Sequence, residues 1–134
     1  MLRIWGKAVL ICTAFIVLSV PALASDCFDK TNEPDELTAC TQQALEAANA
    51  TYAQSYHALA DKTSQQGRMK LRQAWATWLS YREAQCTFDA SGSENTPIHQ
   101  AVLNDCLEQL TIEQTAHINA QVSCAGGDST CGGQ

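Results

Sequence analysis

PDELTACTQQALEAANATYAQSYHALADK, residues 34–62, sets the architecture of this chain. Its apolar or small residues Leu37, Cys40, Ala44, Ala48, Tyr52, Tyr56 and Leu59 recur at steps of three or four, and no glycine or later proline interrupts them. That period places them along one face of a helix. Asn32 or Glu33 suits the cap, Pro34 the first turn, and Asp35 and Glu36 the positions where the helix dipole favours anions. The pattern breaks between Lys62 and Gly67.

Working outward, a second helix is expected from about Arg68 to Phe88, with Leu71, Trp75, Trp78, Leu79, Arg82 and Cys86 on one broad face. Its two tryptophans mark it as the expected centre of the core. Asp89–Pro97 holds Gly92, Pro97 and several Ser/Thr residues, so the chain must turn there. A third helix is expected from about Pro97 to Val122, capped by Thr96, with a drifting stripe of Ile98, Val102, Cys106, Leu110, Gln114 and Ile118. Residues 123–134 are glycine-rich without an apolar pattern and read as a flexible tail held only by its own cysteines. No stretch alternates as a strand does. The expected fold is all-α: residues 25–122 as a small antiparallel three-helix bundle stapled by disulfides, in which the N-terminal arm is nonhelical.

The first residues carry Arg3 and Lys7, then an apolar run from Ala8 to Val20, then Pro21 and Ala22-Leu23-Ala24. This is the order of a secretory signal peptide over residues 1–24, cleaved after Ala24. The apolar run is shorter than the ~20 residues of a spanning helix, which speaks against a retained anchor. Asp26 before Cys27 does not suit a lipid attachment site. The expected mature chain is therefore periplasmic or secreted and free of the membrane. Loss of Arg3 and Lys7 takes the formal charge from −6 to −8. That balance argues against a nucleic-acid partner and favours a basic protein partner.

Of 7 cysteines, Cys12 leaves with the signal peptide, and Cys27, Cys40, Cys86, Cys106, Cys124 and Cys131 remain. An even set in an exported chain reads as three disulfides, with fifteen pairings open. Zinc-knuckle spacing is absent, so no metal is expected. His57, His99 and His117 stand apart from any nucleophile motif, Glu108 and Glu113 are spaced off a single helix face, and no glycine-rich loop follows a strand. These residues give no catalytic constellation and call for no cofactor. The cations Arg68, Lys70 and Arg72 read as a solvated helix start. Ser91, Gly92, Ser93, Glu94 and Asn95 form an exposed polar loop, a candidate contact with a protein partner.

Trp78-Leu79-Ser80-Tyr81-Arg82-Glu83-Ala84-Gln85-Cys86 resembles the W-x-x-Y-R-x-x-x-C signature of the LprI-type lysozyme-inhibitor family. Cys27, Cys40, Asn49 with Tyr52, Leu71-Arg72, and Cys106 followed by Leu110-Thr111 extend the resemblance from about Asp26 to Ile118. Trp75 and Gln114 depart from the glutamine and arginine usual at those positions, and the tail with Cys124 and Cys131 is an addition. The resemblance implies pairing of Cys27 with Cys40 and of Cys86 with Cys106, which leaves Cys124 with Cys131. It also implies an exported, noncatalytic protein that inhibits lysozyme by occluding its cleft. The alternative is an envelope structural, adaptor or immunity module for a different periplasmic protein. Trp78, Tyr81 and Arg82 are expected to be structural: Trp78 in the core, Arg82 paired with a carboxylate or capping helix carbonyls, Tyr81 at the margin.

Overall fold

The computed structural model describes residues 25–124 and 128–134; the signal peptide read over residues 1–24 lies outside them. Four helices follow one another: α1 (Ser25–Lys30), α2 (Pro34–Lys62), α3 (Gln65–Asp89) and α4 (His99–Val122), with a 3-10 turn over Ala90–Ser93 between the last two. The described residues contain no strand. Three helices are long, as expected; the N-terminal arm, expected to be nonhelical, is a short fourth helix with Asp26 in its first turn, Lys30 in its last and Thr31 N donating to Cys27 O, and it is pinned to α2 by Cys27–Cys40.

The helix ends show which local signals won. Glu33 occupies the N-cap of α2 without a side-chain bond. The Thr31 hydroxyl acts instead, accepting from Glu33 N (3.1 Å) and donating to Glu36 Oε2 (2.8 Å). α3 begins at Gln65, earlier than expected, because Ser64 caps it by accepting from Gly67 N at 3.1 Å. α4 begins at His99 rather than Pro97: Thr96 is spent closing the preceding turn onto Ser93 O, and Asn95 adopts a left-handed φ of 62°.

The core lies between α2 and α4. α2 buries Leu37, Thr41, Ala44, Leu45, Ala48, Tyr52, Ser55 and Leu59. α4 buries Ala101, Asn104, Glu108, Thr111, Thr115 and Ile118. Of the stripe expected on α4, only Ile118 is among them. The reason is that α4 has two partners: a small and polar face packs on α2, while the Cys106 side meets α3. Its threonine hydroxyls satisfy themselves on their own helix, Thr111 on Leu107 O (2.6 Å) and Thr115 on Thr111 O (2.7 Å). Asn104 donates across the interface to Thr41 Oγ1 at 3.4 Å.

Pairings along α2 and α4 rise together, Asn104 with Thr41 at one end and Val122 O with Lys62 Nζ (2.6 Å) at the other. Pairings of α3 with α4 fall as α4 rises: Cys86 with Cys106, Arg82 with Thr111, Leu71 against the cluster that contains Ile118. α3 is not the centre of the core. It buries only Gly67 and Cys86, Trp75 is 40% exposed, and Trp78 is half-buried against Tyr52, Leu59 and Ile118.

Cys27 pairs with Cys40 and Cys86 with Cys106, as the resemblance implied, and the remaining Cys124 pairs with Cys131. The first two close separations of 13 and 20 residues, and such loops are worth about 3 kcal/mol each in a domain whose total stability is small. The tail is held by more than its own cysteines. Ser64 N and Ser64 Oγ both donate to Gly133 O at 3.0 Å, Gly132 N donates to Gln121 Oε1 (2.7 Å), and Gln134 Nε2 donates to Gln121 O (2.8 Å). Gly67 permits this approach, since a Cβ there would strike the backbone of Gly133.

Candidate functional site

The signature residues divide between interior and surface. Trp78 stacks on Tyr52 with ring centroids 4.9 Å apart, and the Arg82 guanidinium lies 5.0 Å above the Trp78 ring. Tyr56 continues the aromatic array, 6.5 Å from Tyr52 and 5.6 Å from Trp75. Arg82 Nη1 donates to Asn49 Oδ1 (3.1 Å) on α2 and to Thr111 Oγ1 (2.8 Å) on α4. These hydrogen bonds go to neutral side chains rather than to the carboxylate or helix carbonyls expected from sequence. One guanidinium on α3 thus ties all three long helices. Burial lowers the Arg82 pKa from its ordinary value, with Glu83 and Tyr52 pulling it back. Burial, aided by Tyr56, pushes the Tyr52 phenol up to about 12, against the opposing pull of Arg82. Tyr81 stands apart from this cluster, 54% exposed.

Ser91–Asn95 leaves α3 through the 3-10 turn and is anchored on several sides. Ser93 Oγ donates to Ala90 O (2.7 Å) and lies 3.0 Å from His99 Nδ1, and Glu94 N donates to Ser91 O (3.2 Å). The Cys86–Cys106 disulfide closes its base. Ser91, Gly92, Glu94 and Asn95 nevertheless face solvent. The loop is thus an exposed, restrained projection.

Charge is distributed unevenly around that loop. After Arg82 the sequence contains no lysine or arginine, while Glu83, Asp89, Glu94, Asp105, Glu108, Glu113 and Asp128 follow. The packing of Cys27, Leu37, Cys40, Ile98 and Ala101 brings α1 and the start of α2 to the same end as the start of α4. Asp26, Asp29, Glu33, Asp35 and Glu36 therefore join Glu83, Asp89, Glu94 and Asp105 at one pole. Among the described residues Lys30 is the cation there, 4.0 Å from Asp26 Oδ2. Burial raises the Asp105 carboxyl above its ordinary value. Lys62, Arg68, Lys70 and Arg72 lie at the opposite pole, where the tail docks.

The structure does not gather a reaction centre from the other candidates. Glu108 is buried and Glu113 exposed; His57 and His117 are exposed, while His99 serves the loop. An open groove of about 370 Å³ at the tail's pole is lined by Leu59, Lys70, Leu71, His117, Ile118 and Gly133, among others. Among the described residues, no group of three or more His, Cys, Asp or Glu is placed to hold a metal ion, and no helix is long and apolar enough to cross a membrane. Sequence reasoning missed the polarity of charge and the exposure of Phe88 (73%), the latter because Phe88 had been read only as the end of α3.

The described residues form a small helical scaffold whose Cys27–Cys40 and Cys86–Cys106 disulfides lie toward the acidic pole, beside the restrained loop. Residues 27–117 match the family model described as Lysozyme inhibitor LprI, and the chain belongs to that family. It is also 29% identical over 124 residues to an uncharacterized 17.7 kDa protein in the puhA 5′ region of Rhodobacter capsulatus, covering 86% of this chain and 72% of that one. No solved structure matches it.

Proposed function

We propose that the chain is an exported, noncatalytic inhibitor of lysozyme that works in the periplasm or outside the cell, and that it occludes the enzyme's cleft with the Ser91–Asn95 loop. Family membership is the observation that carries this reading. The fold is read as an antiparallel three-helix bundle, supported by the opposed order of contacts along α3 and α4. Lysozyme cleaves glycans between two carboxyl groups, and an inhibitor needs only to keep the sugar from that cleft. A rigid loop on an acidic pole suits the task, because long-range attraction steers a basic enzyme onto it. Export rests on the signal-peptide pattern of residues 1–24 and accounts for the paired cysteines.

The purified mature chain, its three disulfides verified by mass spectrometry, is expected to slow lysis of bacterial cell walls by a basic lysozyme. A protein that neither slows lysis nor binds the enzyme at low salt refutes the proposal. A second reading is an adaptor or immunity module for another periplasmic protein, to which the exposed Tyr81 and Phe88 on α3 are equally open. It predicts tight binding to a nonlysozyme envelope protein with no effect on lysis.

A further inference from the structure

Thr77, Tyr81, Ala84 and Phe88 follow one another along α3 at steps of four and three, and every one of them is exposed. Such a seam is what one helix offers to a partner. Neither of the long helices packed on α3 covers it: α3 meets them through Leu71, Trp78, Arg82 and Cys86 on its other side. The tail docks before it on α3, where Ala74 lines the groove with Gly132 and Gly133, and its bonds go to Ser64 and Gln121. The two large side chains, 54% and 73% exposed, are separated by alanine, which leaves each ring accessible. Phe88 immediately precedes Asp89 and the restrained loop, so the seam runs into the acidic pole.

We infer that the Tyr81–Phe88 seam and the adjoining loop form one docking surface for a cationic protein, with a lysine or arginine of the partner seated on the Phe88 ring. The charge around the seam selects this occupant. Asp89 and Glu94, both exposed, follow Phe88 into the loop, and the acidic residues of α1 and the start of α2 share that pole, which repels an acidic partner and draws a basic one. An aromatic ring within such a field gives a cation a face to rest on as well as a charge to approach. Buried aromatic anchors surrounded by a charged rim are the usual centres of affinity in such interfaces. The inference rests on the reading that the partner is a basic lysozyme, and it moves the main anchor from the polar loop to the end of α3.

The test measures binding of the mature protein to a basic lysozyme by surface plasmon resonance at low and near-physiological salt. Phe88→Ala is expected to weaken binding about tenfold or more, and Phe88→Lys further, by placing like charge against the partner. Glu83→Gln with Glu94→Gln is expected to slow association several-fold and flatten its salt dependence. Met69→Ala, an exposed side chain near the opposite pole, is expected to stay within twofold. Circular dichroism and thermal melting of each variant confirm that the fold is intact. If the wild type binds and the Phe88 and double-glutamine variants bind equally well, this surface is wrong and the inhibitor reading stands. If Phe88→Lys instead dissolves a homodimer of the wild type with lysozyme affinity unchanged, the seam serves a second copy and the inference also fails. A wild type that does not bind lysozyme at all overturns both.

Discussion

Replacing Arg82 by alanine removes the group that ties α3 to α2 and α4, and the structure sets the size of the effect. Two hydrogen bonds from a charged donor, to Asn49 (3.1 Å) and Thr111 (2.8 Å), are lost; each is worth about 1.5 kcal/mol where one partner is ionised. The contact with Trp78 at 5.0 Å adds about 0.5–1 kcal/mol. Against this, the buried Arg82 Nε has no hydrogen-bond partner among the described residues, and its removal returns about 1 kcal/mol. The net loss is about 2–3 kcal/mol, which in a domain of this size lowers Tm by about 10 °C. Arg82→Lys keeps the charge but not the planar fork and should fall between the two. Thermal and urea denaturation with disulfides intact give the stability, and lysozyme binding at 25 °C gives the function. Folded Arg82→Ala is expected to bind within twofold of the wild type. A melting point within about 2 °C of the wild type, combined with a tenfold loss of binding, would refute the argument and make Arg82 a contact residue.

Removing the Cys86–Cys106 disulfide as a paired alanine variant should cost about 3 kcal/mol in urea unfolding, from the separation of 20 residues it closes. It should also weaken lysozyme binding of the protein that remains folded, because the loop loses its base. Gly67→Ala sets two effects against each other: a better helix former gains about 1 kcal/mol, while displacement of Gly133 breaks two hydrogen bonds to Ser64 of about 1 kcal/mol each. Global stability should change little, whereas amide exchange and proteolysis of the tail should accelerate; an unchanged tail would show that it does not dock there. Alkaline unfolding reports on Tyr52. Its folded pKa is raised from 10.0 to about 12, so the folded state holds the phenolic proton more tightly, and its contribution is complete below about pH 10 and lost as pH rises toward about 12. The loss is about 2–3 kcal/mol over that window, and Tyr52→Phe should flatten it.

Much of the fold was legible because it depends on period. On α2, Leu37, Ala44, Ala48, Tyr52 and Leu59 were assigned to the buried face from spacing alone, and all five are buried. α4 departs from its expected stripe because its buried face includes Asn104, Thr111 and Thr115, which hydropathy scores as surface and which close approach to α2 makes interior. α3 was misjudged for the converse reason. Its tryptophans are the largest apolar groups, but the α2–α4 pair is already closed by small residues, so Trp75 and Trp78 cover that pair from outside. The start of α3 depended on whether Ser64 capped it, and Gly67 concealed that signal by looking like a break. Disulfide pairing was not available from spacing; it came with the family signature. The role of Arg82 as a bridge among three helices needed the positions of Asn49 and Thr111, residues distant in sequence from it and from each other. The exposed seam on α3 is visible as residues but not as surface: the sequence puts Tyr81 at the margin of the core and Phe88 at the helix end, and only the packing shows both rings uncovered.

The central claim is that this chain blocks the lysozyme cleft without doing chemistry. Steady-state hydrolysis of a soluble chitooligosaccharide by a basic lysozyme, measured across substrate concentrations with and without the mature protein, addresses it most directly. Occlusion predicts an apparent KM that rises with inhibitor while kcat holds, and an inhibitor that is recovered unaltered. Unchanged kinetics at low salt, with folding and all three disulfides verified, would contradict it.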